Sequence, residues 1–228
     1  MIPWILLATA SVPGDDEELR LYQRGSEYSI RVGAYELMNN RVHASEDALA
    51  SVACERLLDR ARARVLIGGL GMGFTLSAVL KEVGPKSEVV IAELVPEVVE
   101  WNREIFGAVS GHPLRDLRVR VRESDVAKLL RDDEDAWDAI LLDVDNGPAG
   151  LTSKTNDWLY GPHGLRAAHR ALHAGGLLAV WSSGDSPAFT RRLKDAGFVA
   201  EQVRVRGRGA AGGPRYLIWV AKRSQRQE

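Results

Sequence analysis

Apolar positions along the chain change their period twice, and each change marks a change of architecture. Up to residue 42 they alternate with polar ones in short runs, Trp4–Val12, Leu19–Tyr22, Tyr28–Val32 and Tyr35–Met38. Turn formers separate them: Pro13-Gly14-Asp15-Asp16, Gly25-Ser26 and Asn39-Asn40. Period two between turns predicts antiparallel strands, and so few short strands need a larger body to pack on. Ser45, with Glu46 and Asp47 behind it, reads as a helix start, and Ala48, Leu49, Val52, Ala53, Leu57 and Leu58 follow at helical spacing.

From Ala63 onward strand and helix patterns take turns. Strands are expected at 65–69, 88–93, Leu117–Val121, Asp138–Asp143 and Leu177–Trp181. Helices are expected at 73–83, at 96–106 with Pro96 in its first turn, and at Val126–Arg131. Two more follow, Gly164–His173 closed by Gly175-Gly176 and Ser186–Ala196 capped by Gly197. Phe198–Val205 and Tyr216–Ala221 read as a closing antiparallel pair. The whole is an α/β chain, a Rossmann-like doubly wound sheet, mostly parallel, with a small antiparallel extension. The expected division is 1–44 for the extension, 45–223 for the main domain and 224–228 for a polar tail that frays.

Composition narrows the partners. The 228 residues suffice for one sizeable core, and a net charge of −1 exerts no general pull on nucleic acid or acidic membranes. Cys54 is the single cysteine, so an internal disulfide is excluded, and its place in the first helix points to inert burial. No Cys/His cluster has zinc spacing, and no metal is expected. Ile2–Ala10 is apolar but has no positive flank and carries Pro3, so it reads as a strand rather than a signal peptide. Nothing approaches the ~20 apolar residues of a membrane span. The protein is therefore expected in a reducing cytoplasm. His43, His163, His169 and His173 read as surface residues, and Arg204–Arg208 with Gly209–Gly213 as a solvated hairpin tip.

Chemistry concentrates where parallel strands end. Ala63–Gly73, ARVLIGGLGMG, passes from an aliphatic strand through Gly69, Gly71 and Gly73 into a helix. Glycines there let the backbone turn tightly and present bare N–H groups to a ligand. The second strand ends on Glu93, followed by Leu94, where a carboxylate would accept the hydroxyl protons of a nucleoside ribose. After the third stand Ser124 and Asp125, an N-cap pair that could also receive an adenine amino group. The fourth ends on Asp143, with Asp145 and Asn146 before Gly147-Pro148-Ala149-Gly150. Asp143 closes a buried run and is placed to orient a nucleophile or accept its proton. This edge of carboxylates suits NAD, FAD and S-adenosylmethionine alike, although no hydride-transfer partner is evident for the first.

These residues together resemble the spermidine synthase (polyamine aminopropyltransferase) family, within the class I S-adenosylmethionine-dependent methyltransferase fold. The resemblance covers the β extension, the helix at 46–60, the turn Gly68–Gly73, Glu93, Asp125 and the Asp143…Gly147-Pro148-Ala149 loop. It implies that Glu93 holds ribose, Asp125 meets adenine and Asp143 assists deprotonation of an attacking amine. It further implies S-adenosylmethionine or its decarboxylated form as cofactor, a small-molecule acceptor, possible amine character in that acceptor, and a homodimer.

The chain departs from the family pattern at Gly71, where the family keeps an Asp that grips the amine end of the decarboxylated cofactor. Its acidic loop is shorter, and a Tyr-Gln or Tyr-His pair is missing around Asp47–Ala50. These departures move the expected reaction to methyl transfer onto a small nucleophile, with Asp143 as base or orienting acid and Asp145 or Asn146 in support. Aminopropyl transfer is the first alternative, and a cofactor-binding protein without turnover the second.

Overall fold

The computed structural model describes residues 2–14, 18–59, 61–144, 147–148, 157–206 and 212–224. Four antiparallel strands come first, β1 (Ile5–Ser11), β2 (Glu18–Arg24), β3 (Glu27–Val32) and β4 (Tyr35–Asn39), in the order β1-β2-β3-β4. Leu19 and Leu21 of β2 and Ile30 of β3 are buried, so this sheet lends one face to the main core.

The second sheet has seven strands. They are β5 (Arg64–Gly68), β6 (Glu88–Glu93), β7 (Val119–Glu123), β8 (Trp137–Leu142), β9 (Leu172–Ser182), β10 (Phe198–Arg206) and β11 (Arg215–Arg223). Their order is β10-β11-β9-β8-β5-β6-β7, with β11 antiparallel to both neighbours and β5 to β9 parallel. The central strands are unbroken aliphatic runs because both faces are covered. Val65, Ile67, Val89, Ile91, Ala139 and Leu141 face one core with α1 (Ala44–Cys54), α2 (Phe74–Glu82) and α3 (Pro96–Glu104). Leu66, Val90, Ile140 and Leu142 face the other. That core is completed by α4 (Val126–Asp132), a short α5 (Asp157–Tyr160), α6 (Pro162–Ala171) and α7 (Pro187–Asp195). The doubly wound α/β sheet expected from the strand–helix alternation is the fold found, with the antiparallel strand at its C-terminal side.

Three local expectations shift. Helix α1 starts at Ala44 after His43 and stops at Cys54, so Ser45 is a first-turn residue rather than the cap, and its hydroxyl binds Glu46 instead of the backbone. Beyond Cys54 the bonds from Arg56 N to Ala53 O and from Leu57 N to Cys54 O tighten the chain, and Leu58 points outward. The pair Gly175-Gly176 does not close α6, which ends at Ala171. Leu172 is already extended and paired with Trp137, and the next pair is Ala139 with Leu177, so 173–176 form a bulge inside β9. Finally, β7 begins two residues later than expected, because Asp116 turns back onto Arg118 and leaves Leu117 in solvent.

Candidate active site

The carboxyl ends of β5, β6 and β8 open onto a cavity of about 790 Å³, where a doubly wound sheet reverses its winding. The N-terminal sheet covers it, with Tyr35 through Asn39 of β4 and Val42 on its wall.

The glycine turn forms the floor. Gly69 has φ of +87°, and a Cβ there would come within 2.6 Å of the Asp143 carbonyl oxygen. Both the backbone conformation and the fit against the next strand end therefore exclude a side chain. Gly71 also has positive φ, but its space is taken differently, since a Cβ would meet Met38 Sδ at 2.7 Å. Strand β4 thus plugs its thioether into the turn. Asn102 of α3 fixes the same segment from beneath, donating from Nδ2 to the Gly71 carbonyl at 2.7 Å.

Glu93 ends β6 almost fully buried. Its Oε2 accepts from Leu70 N at 2.8 Å and its Oε1 from Val95 N at 2.9 Å. Burial pushes this carboxyl up, and the N–H groups of Val95 and Leu70 pull it back. Each oxygen keeps a lone pair for a ligand hydroxyl. Asp125 caps α4 by accepting from Ala127 N with Oδ1 at 2.8 Å, while its side also faces the cavity. One carboxylate can do both because only one oxygen is used in the cap.

Asp143 follows β8 and accepts from Thr75 Oγ1 of α2 at 2.7 Å. The same cavity is lined by Glu46 of α1, whose Oε2 accepts from Ser45 Oγ at 2.5 Å. Burial raises both carboxyls, and the nearby charge of Asp143 adds to the effect on Glu46, which is pushed up to about 7. Trp181 of β9 and Tyr216 of β11 complete this end, their rings 4.9 Å apart.

Of the residues singled out in the sequence, Gly69, Gly71, Glu93, Leu94, Asp125 and Asp143 meet on this cavity. Gly73 does not line it; it sits against Asn102, Pro113 and Ser110 at the start of α2. Ser124 also stands off the wall, its N–H bound to the Glu93 carbonyl. Asp145 and Asn146 lie outside the described residues, as do Gly207 to Ala211 of the basic hairpin. Glu46, Met38, Trp181 and Tyr216 escaped the sequence reading. For Glu46 the signal was visible as an acid in a first helical turn, a position that serves the helix dipole equally well.

The charges on the wall discriminate between ligands. Glu36, Glu46, Glu93, Asp125 and Asp143 line the cavity, and no Lys, Arg or His is among its described lining residues. Such a set of acceptors suits a cationic ligand and offers no cationic partner to a carboxylate.

Fold and wall together give a class I methyltransferase-like sheet with an acid-lined cavity at the carboxyl ends of its strands. The family model for the spermine/spermidine synthase domain matches residues 45–195, well over half of the chain, and the protein belongs to that family. A polyamine aminopropyltransferase of Korarchaeum cryptofilum (strain OPF8) is 31% identical over 121 residues, 53% of this chain and 36% of that relative. The match thus spans about a third of the relative's length. Spermidine synthase from Thermotoga maritima superposes with a TM-score of 0.73 at 16% identity, covering 96% of this chain and 72% of its own. The 1,6-didemethyltoxoflavin-N1-methyltransferase of Burkholderia thailandensis superposes with a TM-score of 0.56 at 20% identity, covering 80% of each chain. At such identities both likenesses speak for the fold.

Proposed function

We propose that the protein transfers an aminopropyl group from decarboxylated S-adenosylmethionine to a small amine. The observation that carries this reading is the sign of the charge on the wall: five carboxylates line the cavity with no basic residue among its described lining. A cosubstrate that keeps its methionyl carboxylate would bring a further negative charge among these acids. At an effective dielectric near 20, two like charges about 5 Å apart repel by about 3 kcal/mol. The decarboxylated form replaces that anion by nothing and keeps two cations. Family membership and the K. cryptofilum relative support the same choice. The methyl transfer expected from Gly71 has no such support; Met38 occupies the space beside that glycine, and acids reach the cavity from α1 and β4 instead.

The geometry supports a role for each residue. Glu93, already braced by two backbone donors, would accept the ribose hydroxyls, and the second oxygen of Asp125 the adenine amino group. When bound, the cosubstrate supplies an electrophilic carbon attached to a neutral leaving group. Asp143, held by Thr75, orients the amine toward that carbon. The Trp181 and Tyr216 rings wall the acceptor end, where they contribute cation–π attraction and shut out water. Alignment of two bound reactants in a dry site is the main catalytic contribution such a displacement needs.

The test is turnover. Purified protein with decarboxylated S-adenosylmethionine and a panel of linear diamines and triamines should release 5′-methylthioadenosine in step with amine alkylation. Release of S-adenosylhomocysteine from the parent cofactor at a higher rate, with any acceptor of the panel, would refute the assignment.

A further inference from the structure

Two of the five acids have no task so far, and of these Glu36 has both oxygens bound within its own sheet, by Ser29 Oγ at 2.6 Å and Asn39 Nδ2 at 2.8 Å, which leaves Glu46. Glu46 is delivered by the first turn of α1 to the cavity that Asp143 also lines, although α1 would be equally well started by a solvent-facing acid. Each of the two carboxylates has one oxygen engaged by a hydroxyl, Glu46 Oε2 by Ser45 and Asp143 Oδ2 by Thr75. Each keeps a second oxygen that no hydroxyl engages, and both residues line the same cavity with Trp181 and Tyr216, near enough that the charge of Asp143 acts on Glu46 and that of Glu46 on Tyr216.

We propose that Glu46 and Asp143 form a two-carboxylate clamp on the acceptor nitrogen, in which Asp143 anchors the amine and Glu46 takes its proton. This rests on the aminopropyl reading above and extends it to the proton transfer. A primary amine arrives as R–NH3+ with three N–H bonds and no lone pair. One proton passes to Glu46, giving R–NH2 and a neutral carboxylic acid. The freed lone pair first faces the new O–H of Glu46, and rotation about the amine C–N bond turns it to the electrophilic carbon while the two remaining N–H bonds come to Asp143 and to the carbonyl oxygen of Glu46. That lone pair forms the new C–N bond while the C–S bond breaks and its electrons stay on sulfur. The product is a secondary ammonium ion and a neutral thioether, and Glu46 returns the proton to solvent when the site opens.

The division of labour follows from the surroundings. Glu46 faces Asp143 from the end of β8, Asp47 from its own helix and Tyr216 from β11; of these Asp47 is bound by His43 Nδ1 at 2.9 Å, and no Lys or Arg is among the groups that act on Glu46. These neighbours and burial make it a better proton acceptor than a surface carboxylate, with its pKa pushed up to about 7. The charge of Asp143 is, after burial, a cause of that rise.

The experiment compares wild type and Glu46→Gln with decarboxylated S-adenosylmethionine and 1,4-diaminobutane from pH 5.5 to 9. In wild type kcat/KM should climb about tenfold per pH unit at the acidic end and level off above a midpoint near 7. In Glu46→Gln that limb should vanish and kcat should fall about 100-fold, while KM for the amine moves less than tenfold. Asp143→Asn should shift any remaining limb to lower pH, because the charge that raises Glu46 is gone. Binding of 5′-methylthioadenosine reports whether each variant is folded. A limb that survives Glu46→Gln, with kcat within threefold of wild type, overturns the clamp while leaving aminopropyl transfer intact. Absence of turnover by wild type with any amine overturns aminopropyl transfer and the clamp with it. As a readout that needs no turnover, the Glu46 carboxyl carbon should titrate near neutrality by 13C NMR of wild type. Titration in the ordinary carboxylate range overturns the proposal regardless of the kinetics.

Discussion

Replacing Glu46 by Gln should make the ligand-free protein more stable, and only at higher pH. In the folded chain its pKa rises from an ordinary 4.5 to about 7, by burial and the charge of Asp143. A carboxyl that binds its proton more tightly when folded favours folding fully below the unfolded pKa. That contribution is lost as pH climbs through the folded pKa. Between pH 4.5 and about 7 the loss corresponds to about 3 kcal/mol at 1.36 kcal/mol per unit. Gln has nearly the same volume, keeps an oxygen for Ser45 Oγ and never ionises, so the variant escapes the loss. Urea unfolding should therefore give Glu46→Gln an advantage of up to about 3 kcal/mol at pH 8.5 and less than ~1 kcal/mol at pH 4.5. Burial raises Asp143 and Glu93 as well, so wild type should lose more stability towards high pH than Glu46 alone supplies. A variant less stable than wild type at pH 8.5, or one whose advantage is equal at both pH values, would refute the reasoning.

Two further outcomes follow from the floor and rim of the cavity. Gly69→Ala and Gly71→Ala both place Ala at positive φ, at about 1–2 kcal/mol, but the first also strikes the Asp143 carbonyl and the second only the end of Met38. Equilibrium unfolding should show Gly69→Ala clearly the more damaging, and Met38→Ala should recover part of the loss in Gly71→Ala alone. Asp125→Ser retains an N-cap for α4, so unfolding should change by less than ~1 kcal/mol, while affinity for 5′-methylthioadenosine falls at least tenfold.

Much of this was legible because the relevant signals are local. The runs Val65-Leu66-Ile67 and Ala139-Ile140-Leu141-Leu142 are aliphatic on both faces, which only a covered parallel strand tolerates, and the glycine turn and the strand-end acids follow them directly. Helix ends were less legible. Gly175-Gly176 has the composition of a cap, yet Leu172 is drawn into the sheet first, because it pairs with Trp137 and is fully buried. The acceptor end was hidden for another reason. Glu46, Trp181 and Tyr216 stand on α1, β9 and β11 and become neighbours only through the order in which the sheet is wound. Gly71 was informative but misdirecting: the missing acid is visible in the turn, whereas the acids that approach from α1 and β4 are not.

The central claim is that a cavity walled by acids takes a cosubstrate without a carboxylate. The most direct measurement is calorimetric titration of the protein with S-adenosylmethionine and with its decarboxylated form in the same buffer at pH 8. The two differ by one carboxylate, and at least tenfold tighter binding of the decarboxylated form is predicted, with the gap narrowing as salt is raised. Equal or tighter binding of S-adenosylmethionine would contradict the account.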